Sequence, residues 1–207
     1  MNIPSPIRVG AVLFEGFELL DFYGPLEMFG LLEGEAGITV VAEKAGAVKS
    51  AAGPSGMADA TMAGCPGFDV LLIPGGIGTR KKMADPQFLS ELKRLAKASR
   101  IVATVCTGSL VLAKTGLIDG RKATTNKRVF QFVKTNAPKV NWIAKARWVE
   151  DSKYFTSSGV SAGMDMALAV IAKSFGREKS LEIASRAEYE WHEDSSWDPF
   201  AAAAGGL

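Results

Sequence analysis

Cys106 stands in the run Arg100-Ile-Val-Ala-Thr-Val-Cys106-Thr107-Gly108-Ser109-Leu-Val-Leu-Ala113. The apolar, β-branched stretch stops on it and a helix-like pattern begins at once, which places the thiol on a strand-to-helix elbow. Such a turn projects its side chain into a crevice, and the free N–H groups of the first helical turn favour thiolate over thiol. These are the conditions a cysteine nucleophile needs. The plain alternative is a small buried hydrophobe closing a core strand. Cys65, in Met62-Ala-Gly-Cys65-Pro66-Gly67, has no helix after it and reads as structural.

Asp21 is the sole acid between Leu19 and Leu26. It reads either as a helix N-cap or as a proton donor, because burial and a neighbouring thiolate both favour the protonated carboxyl. Pro74-Gly75-Gly76 and Cys106-Thr107-Gly108 each follow a strand-like run, so the amides of Gly76 and Thr107 are candidate oxyanion donors. A competing nucleophile lies in Gly159-Val160-Ser161-Ala162-Gly163, a Gly-x-Ser-x-Gly run between strand and helix patterns. His192 follows Ser161, with Asp165 or Glu188 between them, so the chain order of a serine hydrolase is satisfied. Against it, Ser161 lies late, with little sheet left to carry the acid and base. His192 then belongs to a polar closing segment.

The elements needed to position these residues alternate. Ile7–Phe14 reads as a buried strand, Asp21–Leu32 as a helix, and 38–43 and 48–52 as strands in a possible hairpin. A polar, glycine-rich stretch surrounds Gly53-Pro-Ser-Gly56. Asp69–Pro74 is a central strand, and Asp85-Pro86 opens a helix to Ala98. The strand to Cys106 follows, with short elements at 122–125, 140–142 and 148–149 and a helix over 128–136. Lys153–Ser157 is a strand, 162–175 an apolar helix, and 177–190 the last helix. This rhythm predicts an α/β fold with a doubly wound, mostly parallel sheet and helices on both faces, binding ligands beyond the carboxyl ends of its strands.

The 207 residues, 47% hydrophobic and 22% charged, suit one domain over residues 1–200, with 201–207 a frayed tail. A formal charge of +2 with scattered cations argues against nucleic acid as a partner. The absence of a signal-like N-terminus or a long apolar run argues against a membrane and for the cytoplasm. Two distant cysteines and one histidine offer no disulfide framework and no metal site.

Taken in order, Ile73-Pro74-Gly75-Gly76, Val105-Cys106-Thr107-Gly108-Ser109, Leu117 to Thr125, and Ser158-Gly159-Val160-Ser161-Ala162-Gly163-Met164-Asp165 resemble the ThiJ/PfpI superfamily. Leu20-Asp21-Phe-Tyr-Gly24-Pro25 and Cys-Thr-Gly are most similar to its isocyanide (isonitrile) hydratase branch and to the related domains of some transcription regulators. The resemblance implies a flavodoxin-like sandwich, a homodimer, a nucleophile at Cys106, an acid at Asp21 and a hydroxyl at Thr107. It further implies a Gly-Gly loop at Gly75 and Gly76, a branched residue at Val160 near the cysteine, and no cofactor. The implied activity is a lyase reaction: isocyanide hydration to an N-substituted formamide through a Cys106 thioimidate. A methylglyoxal- or glyoxal-processing cysteine enzyme and a non-enzymatic redox-sensing protein with an oxidisable Cys106 are the alternatives. Where these relatives often carry a histidine after Ala-Thr-Thr, this chain has Asn126-Lys127-Arg128. Where peptidase-like relatives carry histidine after the cysteine, it has Thr107.

Overall fold

The computed structural model describes residues 6–205. Its main sheet has seven strands: β1 (Ile7–Val12), β2 (Ala36–Ala42), β5 (Ala60–Thr61), β6 (Val70–Ile73), β7 (Ile101–Thr104), β10 (Trp148–Asp151) and β11 (Tyr154–Ser157). Their order is β10-β11-β7-β6-β1-β2-β5. All neighbours pair in parallel except β10 with β11. Strands β6 and β7 are buried along their whole length. That is why Val70–Ile73 and Ile101–Thr104 read as unbroken apolar or β-branched runs rather than alternating ones.

The helices are α1 (Leu19–Gly30), α2 (Thr79–Lys82), α3 (Pro86–Ala98), α4 (Gly108–Lys114), α5 (Phe130–Asn136), α6 (Ala162–Phe175) and α7 (Arg177–Arg186). The α3 helix begins as its sequence signals require. Pro86 occupies the first turn, and Asp85 accepts a bond from the Phe88 N–H at 3.1 Å, a cap worth about 1 kcal/mol. Phe88, Leu92, Leu95 and Ala96 form its buried face. From β1 the chain goes to β2 on one side and then to β6 on the other, so the strand order reverses between β1 and β6. A doubly wound sheet opens its ligand crevice at the carboxyl ends beside such a reversal.

Several expectations are corrected. The hairpin joins β3 (Gly46–Lys49) to β4 (Ser55–Ala58), within the stretch read as a polar turn. Residues 36–42 instead pair with β1, because a parallel partner covers the edge of a central strand. The last helix ends at Arg186, and residues 188–200 run irregularly. The chain from Ala201 is not frayed over its described part. Ala201–Ala204 form a 3-10 turn with Ala201 and Ala204 buried, held by Gln131 Nε2 donating to the Ala204 carbonyl at 2.9 Å. Residues 206–207 of that predicted tail, and residues 1–5 of the N-terminus read for a signal, lie outside the described residues. Among the described residues no helix is long and apolar enough to cross a membrane.

A buried charge cluster pins the 188–200 segment to the body. Arg147 donates to Asp165 through Nε and Nη2 at 2.6 Å each. The second oxygen of Asp165 accepts from the Tyr189 hydroxyl and the His192 N–H, both at 2.9 Å. Removing one member of a buried ion pair leaves the other uncompensated. Asp165→Ala is therefore expected to cost about 3–5 kcal/mol, read as a lowered denaturant midpoint, and to open the 188–200 segment to proteolysis ahead of the sheet.

Candidate active site

Five chain excursions meet beyond the sheet's carboxyl edge. Asp21 arrives on the first turn of α1 after β1, Gly75 and Gly76 after β6, and Cys106 and Thr107 after β7. Asn126 follows the short β8 (Lys122–Ala123), which pairs with β9 (Asn141–Trp142), and Gly159 and Val160 follow β11.

Cys106 adopts φ +56°, a left-handed conformation that a side chain tolerates only when the surroundings impose it. Four hydrogen bonds impose it. The Cys106 N–H is shared between the Ser157 and Ser158 carbonyls at 3.2 and 3.3 Å. Its own carbonyl accepts from Ser109 Oγ at 2.9 Å and Thr125 Oγ1 at 3.0 Å. The elbow requires close backbone approach. A Cβ at Gly108 would lie 2.4 Å from the Ile73 carbonyl oxygen, and one at Gly76 (φ +123°) would lie 2.4 Å from that of Gly16.

Asp21 is fully buried. It is not the N-cap of α1: Glu18 holds that position without a side-chain cap bond. Asp21 reaches across the crevice, where its Oδ2 accepts from the Gly75 N–H at 3.0 Å. Its Oδ1 is sealed from solvent with no hydrogen-bond donor among the described residues. Burial therefore dominates, and the carboxyl is raised to about 7, against the lowering influence of the neighbouring Cys106 side chain and the Gly75 N–H. Gly75 is the spacer between acid and elbow: a Cβ there would meet Thr107 N, Asp21 Oδ2 and Thr107 Oγ1 at 2.6–2.8 Å.

The thiol lies against this carboxyl. Burial first, and then the Asp21 charge, push Cys106 well above an ordinary thiol, while the Thr107 N–H and the Asn126 side chain pull it down. The expectation that the elbow alone holds a thiolate is thus corrected. The free N–H groups of the seven-residue α4 are outweighed by a dry setting and a neighbouring acid. The first proton to leave this pair is therefore that of Asp21, and Cys106, 7% exposed, still opens onto a cleft.

Of the two expected oxyanion donors, the Gly76 amide is already engaged and the Thr107 amide faces the sulfur. The Gly76 N–H is engaged by Thr107 Oγ1 at 3.1 Å, within a network in which Thr79 Oγ1 donates to the Gly76 carbonyl at 2.7 Å and lies 3.1 Å from Thr107 Oγ1. The donors turned to the sulfur are the Thr107 N–H and the Asn126 side chain. Asn126 was not among the sequence candidates. Its Oδ1 accepts from the Arg128 N–H at 2.9 Å, which leaves its amide nitrogen to face the sulfur. A Cβ on Gly159 would fall 2.3 Å from that nitrogen and 3.0 Å from the sulfur. The departure from histidine at this position was the available signal.

The cleft above Cys106 encloses about 500 Å³. Ile77, Val129, Phe132 and Val160 give it apolar walls, and Glu18, Arg80 and Arg128 supply charge. Val160 and Cys106 line the same cleft. The serine-hydrolase constellation does not assemble. Ser161 Oγ is approached by Arg147 Nη2 at 3.5 Å, and Asp165 is committed to Arg147, Tyr189 and the His192 main chain.

This geometry defines a class, the α/β proteins with a cysteine on a left-handed elbow beside a buried acid. The model of the DJ-1/PfpI family matches residues 7–173, and the chain belongs to that family. It is 33% identical to isonitrile hydratase of Pseudomonas putida, over 88% of this chain and 78% of that protein. It is 31% identical to the HTH-type transcriptional regulator GbdR of Pseudomonas aeruginosa, over 64% of this chain but 35% of the regulator. A ThiJ/PfpI family protein from Pseudomonas syringae superposes with a TM-score of 0.82 at 29% identity, covering 89% of this chain and 75% of that one.

The raised carboxyl has a measurable sign. The Asp21 carboxyl lies at about 7 in the fold against an ordinary 3.8, so folding favours its protonated form. That contribution is complete below about pH 4 and is lost as pH rises through 7. Asp21→Asn keeps an acceptor for Gly75 but never ionises. It is expected to exceed the wild type in stability at pH 8, by at most about 4 kcal/mol, with the difference closing toward pH 4; urea midpoints at both pH values check this. Because the Asp21 charge raises the thiol, the same variant is expected to shift the iodoacetamide alkylation profile of Cys106 to lower pH.

Proposed function

We propose that the protein is a cysteine-dependent hydratase that converts an isocyanide to an N-substituted formamide. The observation that carries this reading is the Asp21 carboxyl against the Cys106 thiol at the floor of a mostly apolar cleft. The 33% identity to an isonitrile hydratase supports it.

The terminal carbon of an isocyanide accepts both a nucleophile and a proton, and it needs no metal or redox partner. In the proposed cycle the Cys106 sulfur bonds to that carbon while the one proton shared with Asp21 passes to the same carbon, giving a thioimidate and an Asp21 carboxylate. Asp21 then removes a proton from water as its oxygen adds to the carbon, and hands that proton to the nitrogen. Loss of the hydroxyl proton to Asp21 expels the sulfur, releases the formamide and restores the starting pair. One isocyanide and one water are consumed. A carboxyl poised at about 7 suits both directions of transfer at neutral pH. The Asn126 amide and the Thr107 N–H, directed at the sulfur, steady the thiolate as it attacks and as it leaves.

A continuous assay with an aryl isocyanide tests this. Cys106→Ser is expected to abolish formamide formation. Asp21→Asn is expected to lower kcat by about 10²-fold or more, the usual worth of a positioned acid and base, while raising alkylation of Cys106. Loss of turnover with gain of thiol reactivity separates a proton-transfer role from simple damage to the site. A wild type that consumes methylglyoxal but no isocyanide, or neither while Cys106 oxidises to a sulfinate, would overturn the reading.

A further inference from the structure

Nine arginines stand in the sequence. Among the described residues, seven lie within salt-bridge distance of a carboxylate. The two that do not are Arg80 and Arg128, and both line the cleft above Cys106. Arginines on this surface otherwise find acids, so the pairing left open at the cleft is specific to it.

One guanidinium group is held at the cleft by an aromatic neighbour, and the other is carried on an anchored turn. That of Arg80 lies over the Phe132 ring, 5.2 Å from its centroid, an arrangement that favours a cation on an aromatic face. Arg128 sits in a 3-10 turn next to Lys127, which is buried and anchored by bonds from its Nζ to Thr124 Oγ1 at 2.7 Å and the Ala146 carbonyl at 2.6 Å. The Arg128 N–H is the group that orients Asn126 on the sulfur. The charges of the cleft are therefore divided. Glu18 and Asp21 share the end formed by the start of α1, where Glu18 raises Asp21 through space. The arginines share the wall with Phe132 and Val129.

We infer that Arg80 and Arg128 form a carboxylate subsite, and that the substrate of Cys106 is a carboxylate carried on a flat apolar body. The chemistry of the reacting end rests on the hydratase reading above; the subsite rests on the arginines alone. A planar monoanion matches the planar fork of a guanidinium. The acids near Cys106 repel such a group and the arginines attract it, so the charge division orients the molecule with its opposite end at the sulfur. Ile77, Val129, Phe132 and Val160 give the body its apolar walls.

Two measurements separate the subsite from the reaction. The first is protection of Cys106 from iodoacetamide by benzoate against benzamide, which differ in charge and little in shape. Benzoate is expected to protect at roughly five- to tenfold lower concentration, the scale of two partly exposed ion pairs. The preference is expected to vanish in Arg80→Gln/Arg128→Gln and to persist in Arg177→Gln, whose arginine pairs with Glu193 away from the cleft. The second compares kcat/KM for 4-isocyanobenzoate and phenyl isocyanide in the same proteins, where the same ratio is expected to collapse in the double variant. Equal protection by benzoate and benzamide overturns the subsite, as does a preference that survives in the double variant or disappears in Arg177→Gln. A benzoate preference of the expected pattern, with neither isocyanide consumed, sustains the subsite and overturns the hydratase reading instead.

Discussion

Two acids that both resist ionising are pressed together in a dry crevice, and the construction around them serves that contact. The Asp21 carboxyl has one oxygen satisfied by Gly75 and the other without a hydrogen-bond donor. The Cys106 thiol has two donors that favour its anion and an acid that opposes it. Neither group loses its proton easily, and the first to leave as pH rises through about 7 is that of Asp21. Such an arrangement is costly, and the elbow that carries it adds left-handed strain of about 1–3 kcal/mol. It persists because β1, β6, β7 and β11 end side by side and their loops bond to one another more tightly than to solvent. The four hydrogen bonds at Cys106 come from three different segments.

The parts of this arrangement that were legible in the sequence are those written in local pattern. An apolar run ending in Cys-Thr-Gly announces an elbow, whereas an isolated acid in an apolar stretch left a helix cap and a buried carboxyl both open. Alternation of strands and helices then gives the doubly wound sheet. What was not legible depends on long-range partners. The Gly76 amide looks free until Thr107 and Thr79 close on it. Asn126 reaches the sulfur only because β8 pairs with β9 outside the main sheet and turns the following loop inward. The pairing of β3 with β4 was hidden because Gly53-Pro-Ser-Gly56 has the composition of a turn, and half of it forms a strand. The dry carboxyl raising the thiol is likewise a property of two segments 85 residues apart in sequence.

This scaffold does not dictate an activity. A protein named as a hydratase and one named as an HTH-type transcriptional regulator both align with the chain at just over 30% identity. The site therefore has to carry the functional argument. Here the distinguishing residues are Thr107 and Asn126, which surround the sulfur with donors that do not titrate near neutral pH. A histidine at position 126 would bring a second proton and a charge that varies with pH. With asparagine there, the acid–base behaviour of the centre falls to Asp21 and Cys106 alone.

The glycines at 75, 76, 108 and 159 leave no room for a side chain, since a Cβ on any of them would strike backbone, the Asp21 carboxyl or the Asn126 amide. Ile77 and Phe132, by contrast, are more than a third exposed and make no bond to the elbow. Tolerance to substitution is thus sharply divided within one small cavity. Random drift in a lineage, or a library made at the bench, could exchange the outer walls and so the compounds admitted, while the floor around Cys106 stays locked.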